Sequence, residues 1–209
     1  MARHTEVDHD SVFVNCPFSL DYRPLLECMV FTILACGFRP RSALEASDGG
    51  DVRLDKILRL IKESAYSIHD ISVVELDAIN KLPRFNMPFE LGLVIGCKKL
   101  AGRKYASRSL LVLERSSFTS QKYLSDIAGQ DTRAHGDSPR VLARLVRAWL
   151  SQESKRKGIP GDRRIFAAYE SFSLELPALC DAAGLDYDEL SYPDLLGLAQ
   201  QWLQERSNY

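Results

Sequence analysis

The stretch Ser11-Val12-Phe13-Val14-Asn15 is apolar, β-branched and aromatic, with no polar residue interleaved. A strand that keeps one face in water alternates. One that does not alternate is covered on both faces, the condition met in a parallel sheet sheltered by helices. This constraint governs the rest of the chain, because parallel strands need long crossovers between them. The crossovers are legible. Cys16-Pro17-Phe18-Ser19 reads as a turn leading to an apolar helix over about 24–36, with Pro24 as first helical residue and Gly37 as its C-cap. A short strand is expected over about 38–44 and a loop at Ser47–Asp51. Val52, Leu54, Ile57, Leu58 and Ile61 then recur at helical spacing.

The next strand reads Ser67–Ser72 and is followed by a connection rich in Asp, Asn and Pro over about 75–87. A helix over about 88–99 and a strand at Ser109–Leu113 complete the alternation. Strand–helix alternation of this kind predicts an α/β fold with a mostly parallel, Rossmann-like sheet flanked by helices. Right-handed crossovers then gather the strand ends on one rim, and ligands bind outside the carboxyl ends. Those ends are Asn15-Cys16-Pro17, Arg41–Glu45, Asp70-Ile71-Ser72 and Leu113-Glu114. From about residue 138 the pattern is helical: an amphipathic helix over 139–150, a basic linker over 151–164, and helices over about 163–181 and 192–206. The expected organisation is a polar tail over 1–10, an α/β domain over 11–150, the linker, and a helical appendage over 165–209.

Composition narrows the function. With 209 residues, 45% hydrophobic and 26% charged, the chain is long enough for a substantial core and is not disordered. No window approaches the length of a membrane span, and the polar N-terminus is no signal peptide, so a cytoplasmic location is expected. The five cysteines include no CxxC pair and read as reduced, buried hydrophobes. The four histidines lack metal-ligand spacing, so neither a metal nor a resident cofactor is expected. A net charge of -1 argues against a nucleic-acid-coating role. That total conceals an asymmetry: residues 165–209 hold eight acids and one base, a charge of -7, while residues 1–164 stand at +6. The acidic helices are expected to dock on the basic body or on a protein partner.

The most informative stretch is Asn86-Met87-Pro88-Phe89-Glu90-Leu91-Gly92. With Pro88 as first helical residue, Glu90 falls in the first turn of an otherwise apolar helix. There a carboxylate complements the helix dipole or caps free N–H groups, and that role alone accounts for it. Asp70, at a strand end, is equally a turn residue bonding nearby backbone N–H groups. His69 reads as a packed histidine, since alternation sends it to the face opposite Asp70. Tyr22 and Arg23 suit stacking on a base and pairing with a phosphate, or a solvated helix entry.

Phe89-Glu90-Leu91-Gly92, followed by apolar residues and Lys98-Lys99, resembles the active-site helix of the nucleoside 2-deoxyribosyltransferase-like superfamily. TIR-like NAD-cleaving domains have a related fold and likewise use a glutamate. The family's strand-end aspartate resembles Asp70, its acidic or Asn-containing loop resembles Asp77, Asn80 and Asn86, and its first strand and Pro-containing loop resemble Phe13–Phe18. The resemblance spans about residues 11–115 and departs from the family at Pro88-Phe89, where small residues are usual. It implies cleavage of an N-glycosidic bond in a nucleotide or nucleoside, with NAD+ as leading substrate rather than cofactor. Glu90 and Asp70 would be catalytic, and Asn15, Pro17, Phe18, Tyr22, Arg23, Asp77 and Asn86 would bind substrate. It further implies a homo-oligomer and, for standalone members, a role in antiviral defence. A nucleotide-binding sensor or an interaction module of the same fold stands as the alternative.

Overall fold

The computed structural model describes residues 7–45, 50–73, 81 and 85–206. Its elements in chain order are β1 (Asp8–Asn15), α1 (Arg23–Ala35), β2 (Arg39–Arg41), α2 (Arg53–Glu63), β3 (Ser64–Asp70) and α3 (Asn86–Leu100). They continue with α4 (Arg103–Ala106), β4 (Ser109–Glu114), β5 (Thr132–Ala134), α5 (Pro139–Ser154), α6 (Asp162–Ala183) and α7 (Tyr192–Glu205). The strands form one five-stranded parallel sheet in the order β2-β1-β3-β4-β5, an α/β, Rossmann-like fold as the alternation predicts. Strand order reverses between β1 and β3, the switch point at which open α/β sheets form their ligand crevice. Their register sets Asn15 beside His69, and the register of β3 with β4 sets Asp70 beside Leu113.

Two compact units divide the chain, one comprising residues 1–19 and 40–137 and the other residues 20–39 and 138–209. In the sheet unit, the apolar stripe of α2 packs Ile57, Leu60 and Ile61 on Phe13, Ala43 and Val94. Further along, α3 packs Met87 and Leu91 on Ile71 and Val112. Glu114, at the end of β4 and almost fully buried, accepts from the N–H groups of Phe118 and Ser120 and from the Thr132 hydroxyl at 2.7–2.9 Å. Burial works against its charge, but these donors outweigh it and hold the carboxyl below its usual range. Glu114 thereby fixes the loop that leads into β5, a three-residue strand too short to announce itself by periodicity.

In the helical unit, α1 is buried from Leu25 onward with little polar relief, because α5, α6 and α7 cover it. Phe31 stacks on Phe172 at 5.1 Å between ring centroids and meets the edge of Trp202 at 5.6 Å. The Trp202 indole N–H donates to Glu175 at 3.0 Å, and Arg206 closes the group by bonding the same oxygen at 2.7 Å. At the other end Arg23 pairs with Glu27 at 2.9 Å, lies 4.0 Å over the Tyr187 ring and donates to the carbonyls of Tyr187 and Asp188. Counted by compact unit, the charges are 16 bases against 16 acids in the sheet unit and 11 against 12 in the helical unit. The asymmetry along the chain is therefore a division within one unit, between basic α5 with its linker and acidic α6 and α7.

Several boundaries differ from expectation. The helix expected from Pro88 begins two residues earlier, so Pro88 is its third residue and Glu90 its fifth, with no acid in the first turn. The strand expected at Ser67–Ser72 runs from Ser64 to Asp70, directly out of α2. All five cysteines are free, Cys97 half-buried and the others buried. Among the described residues no helix is long and apolar enough to cross a membrane.

Trp202→Ala is expected to destabilise the protein by about 3–5 kcal/mol. Trp202→Phe, which keeps a ring but loses the bond to Glu175, should cost about 1–2 kcal/mol. Denaturant unfolding followed by circular dichroism measures both.

Candidate functional site at the carboxyl ends of the first and third strands

Asn15 is the last residue of β1 and is 2% exposed. Its amide nitrogen donates to the carbonyl of Met87 in the first turn of α3 and to Nδ1 of His69 on β3, each at 3.0 Å. A carbonyl accepts only, so the bond to Met87 fixes which way the amide points. It also makes His69 Nδ1 an acceptor and leaves the ring hydrogen on Nε2. His69 is fully buried, edge-on to Phe13 at 5.9 Å, and burial holds its pKa down at about 3. The ring therefore stays uncharged across physiological pH.

Asp70, the next residue, reaches the opposite face and is also fully buried. One carboxylate oxygen accepts from the Ser72 N–H at 2.9 Å, the turn role expected of it. The other lies 3.0 Å from His135 Nε2. The Asp137 N–H donates to His135 Nδ1 at 3.0 Å, so Nε2 carries the hydrogen and donates it to Asp70. Ser72 Oγ lies 2.8 Å from that same nitrogen. A nucleophilic triad would set serine and aspartate on different ring nitrogens. Here both address Nε2, so Ser72 is not activated, and the group is an Asp–His pair with a hydroxyl attached.

Glu90 comes to the rim on α3, held there by the bond from Asn15 to Met87 one turn earlier. It is 4% exposed, and its position beyond the first turn removes the helix-end role that sequence alone allowed. Burial raises its carboxyl to about 7, opposed only by Arg53 at the start of α2. Arg53 lies 3.8 Å away, outside hydrogen-bond range, with its side chain 55% exposed. Cys16, directly after Asn15, ties the two carboxylates together. Its thiol is pushed well up by burial and by the charges of both Asp70 and Glu90. The thiol is therefore unreactive at neutral pH.

The other expected residues are distributed differently. Pro17 is buried beside Cys16, while Phe18 is 36% exposed and Asn86 is exposed at the start of α3. Tyr22 and Arg23 belong to the helical unit, where Arg23 is engaged with Glu27 and Tyr187. Asp77 and Asn80 lie outside the described residues. Sequence reasoning missed Arg53, at the start of α2, and His135, which stands alone in the chain. Phe85, just before α3, and Phe89, near its start, have exposed rings, at 66% and 55% exposure. No protein-family model, curated protein or solved structure matches the chain.

Glu90 keeps its proton in the folded state up to about pH 7, whereas at its ordinary value of 4.5 the unfolded chain has already released it. Its contribution to stability is therefore full below about pH 4.5 and is lost as pH rises through 7. Glu90→Gln is expected to be more stable than wild type at pH 8 by about 1–3 kcal/mol. The difference should vanish near pH 4, which unfolding series at the two pH values measure.

Proposed function

We propose that this protein cleaves the N-glycosidic bond of a nucleotide or nucleoside, with NAD+ as the first substrate to test. The observation that carries the reading is Glu90: a buried carboxyl raised to about 7 near the start of α3, the helix whose first turn Asn15 bonds at the switch point. Breaking the bond from C1′ to the base sends the electron pair out with the base and leaves positive charge on the sugar. A desolvated carboxylate next to that carbon stabilises the charge or adds to C1′ as a nucleophile. Nicotinamide leaves NAD+ as a neutral molecule and needs no proton. The remaining task is to accept a proton from the attacking water, and the Asp70–His135 pair provides the base.

The exposed rings of Phe89 and Phe85 suit stacking on a planar base, and half-exposed Arg53 suits a phosphate. Loss of NAD+ from the cell would follow from such an activity, in line with the defence role that the family resemblance implies. A homo-oligomer and a protein partner for the acidic helices belong to the same reading. A second reading, nucleotide binding without turnover, draws on Asp70, whose two oxygens are both already engaged.

Incubation with NAD+ and a panel of nucleosides, following free base by chromatography, tests the proposal. Base release is expected, with a rate that rises with pH around 7 as Glu90 ionises. Glu90→Gln should reduce it about 10²–10³-fold. Arg53→Gln, which removes the charge that favours ionised Glu90, should move the pH midpoint upward. Ligand binding with no base released from any substrate would replace this reading with the second one. Release that survives Glu90→Gln would remove Glu90 from the mechanism.

A further inference from the structure

At the opposite end of the sheet from the switch point, a recess lies under α2 and α3, beside the amino ends of β3 and β4. It is lined by Phe13, Ile61, Ser64, Ala65, Val94 and Arg108, among others, with about 180 Å³ of empty space counted out to its open mouth. Two polar groups on this lining have no partner among the described residues: the Ser64 hydroxyl and the Nε–H of Arg108. Both residues are more than nine-tenths buried, Ser64 at 2% and Arg108 at 6% exposure. Buried polar groups without partners are rare enough in folded proteins that each calls for an explanation.

Arg108 presents a second anomaly. Buried guanidinium groups are ordinarily paired with a carboxylate. Among the described residues Arg108 has none; it donates to the Lys62 carbonyl at the end of α2 and lies 4.7 Å over the Tyr105 ring. The carbonyl and the ring offer partial charge only. Burial accordingly pulls the guanidinium below its ordinary range.

We propose that the recess binds a small monovalent anion of chloride size, held by the Nε–H of Arg108 and the hydroxyl of Ser64. The chemistry of the walls selects this class. Phe13, Ile61, Ala65 and Val94 have no donors, and of the two further hydroxyls on the lining Tyr66 is already engaged, so that with Ser67 the walls still offer too few donors for the several oxygens of a phosphate or sulfate. Two free donors suit a single-atom anion. A water molecule would meet the hydrogen-bond demand but would leave the cation unbalanced. The site is independent of the switch-point crevice and of the activity proposed for it.

The test compares the full-length protein in sodium chloride and in sodium gluconate at equal ionic strength. Chloride is expected to raise the thermal midpoint saturably, by about 2–4 °C at concentrations well above the dissociation constant. It should also show excess ³⁵Cl line broadening that competing bromide removes. Ser64→Ala should weaken the chloride response several-fold, and Arg108→Gln should abolish it. If Arg108→Gln does not fold, Ser64→Ala decides the matter. Equal midpoints in the two salts, with no excess line width, would mean that the recess holds water only and would overturn the proposal. A chloride response unchanged in Ser64→Ala would overturn it as well.

Discussion

The two hydrogen bonds from the Asn15 amide hold the switch point together. One nitrogen at the end of β1 reaches both the neighbouring strand and the first turn of α3. Everything assigned to the crevice depends on that span. The bond to Met87 sets the start of α3 against the strand end and so delivers Glu90 to the rim. The bond to His69 decides where that ring keeps its hydrogen. An aspartate in this place would accept where it now donates, and would add a further buried carboxylate at the strand ends. The neutral amide makes the same reach without adding charge.

Charge at the crevice is managed by contrast. Asp70 and Glu114 are both strand-end carboxylates and both buried, and each is surrounded by donors. Glu90 is buried as well, but among the described residues it has a single, distant and half-exposed cation for company. Side chains satisfied by their surroundings are fixed parts of the structure. A side chain left unsatisfied is available to a ligand, and among the described strand-end and rim acids Asp70, Glu90 and Glu114 that condition is met by Glu90.

Much of this was legible in the chain because the governing signals are local. Unbroken apolar runs revealed the central strands, and helical spacing revealed α2 and α5. The alternation of strands with helices put Asn15 and Asp70 at strand ends of one rim, and Glu90 was singled out by its place near the start of an apolar helix. What escaped depends on contacts between distant residues. Thr132–Ala134 is a strand only because β4 offers it an edge, and three residues carry no period. His135 matters through Asp70, 65 positions earlier, and no spacing rule connects them. The start of α3 was displaced because proline at an early helical position fits the third residue as well as the first. The contrast between an acidic tail and a basic body was real as arithmetic along the chain. It dissolved once α5 and its linker proved to belong with α6 and α7.

The discontinuity of the helical unit bears on the order in which the protein is made. The chain leaves the sheet unit after residue 19, returns at 40 and leaves again at 138. During synthesis α1 emerges early, carrying Met29, Phe31 and Ile33, all of which are fully buried in the finished protein. Their partners Phe172 and Trp202 emerge more than a hundred residues later. Until α5, α6 and α7 follow, α1 has no native cover within its own unit, and the contacts that close the unit are among the longest in sequence. Such contacts form slowly, and the waiting surface is a target for aggregation or for a chaperone. Helix α7 thus completes the cover of α1, and a nascent chain that stalls before α7 leaves that helix only partly covered.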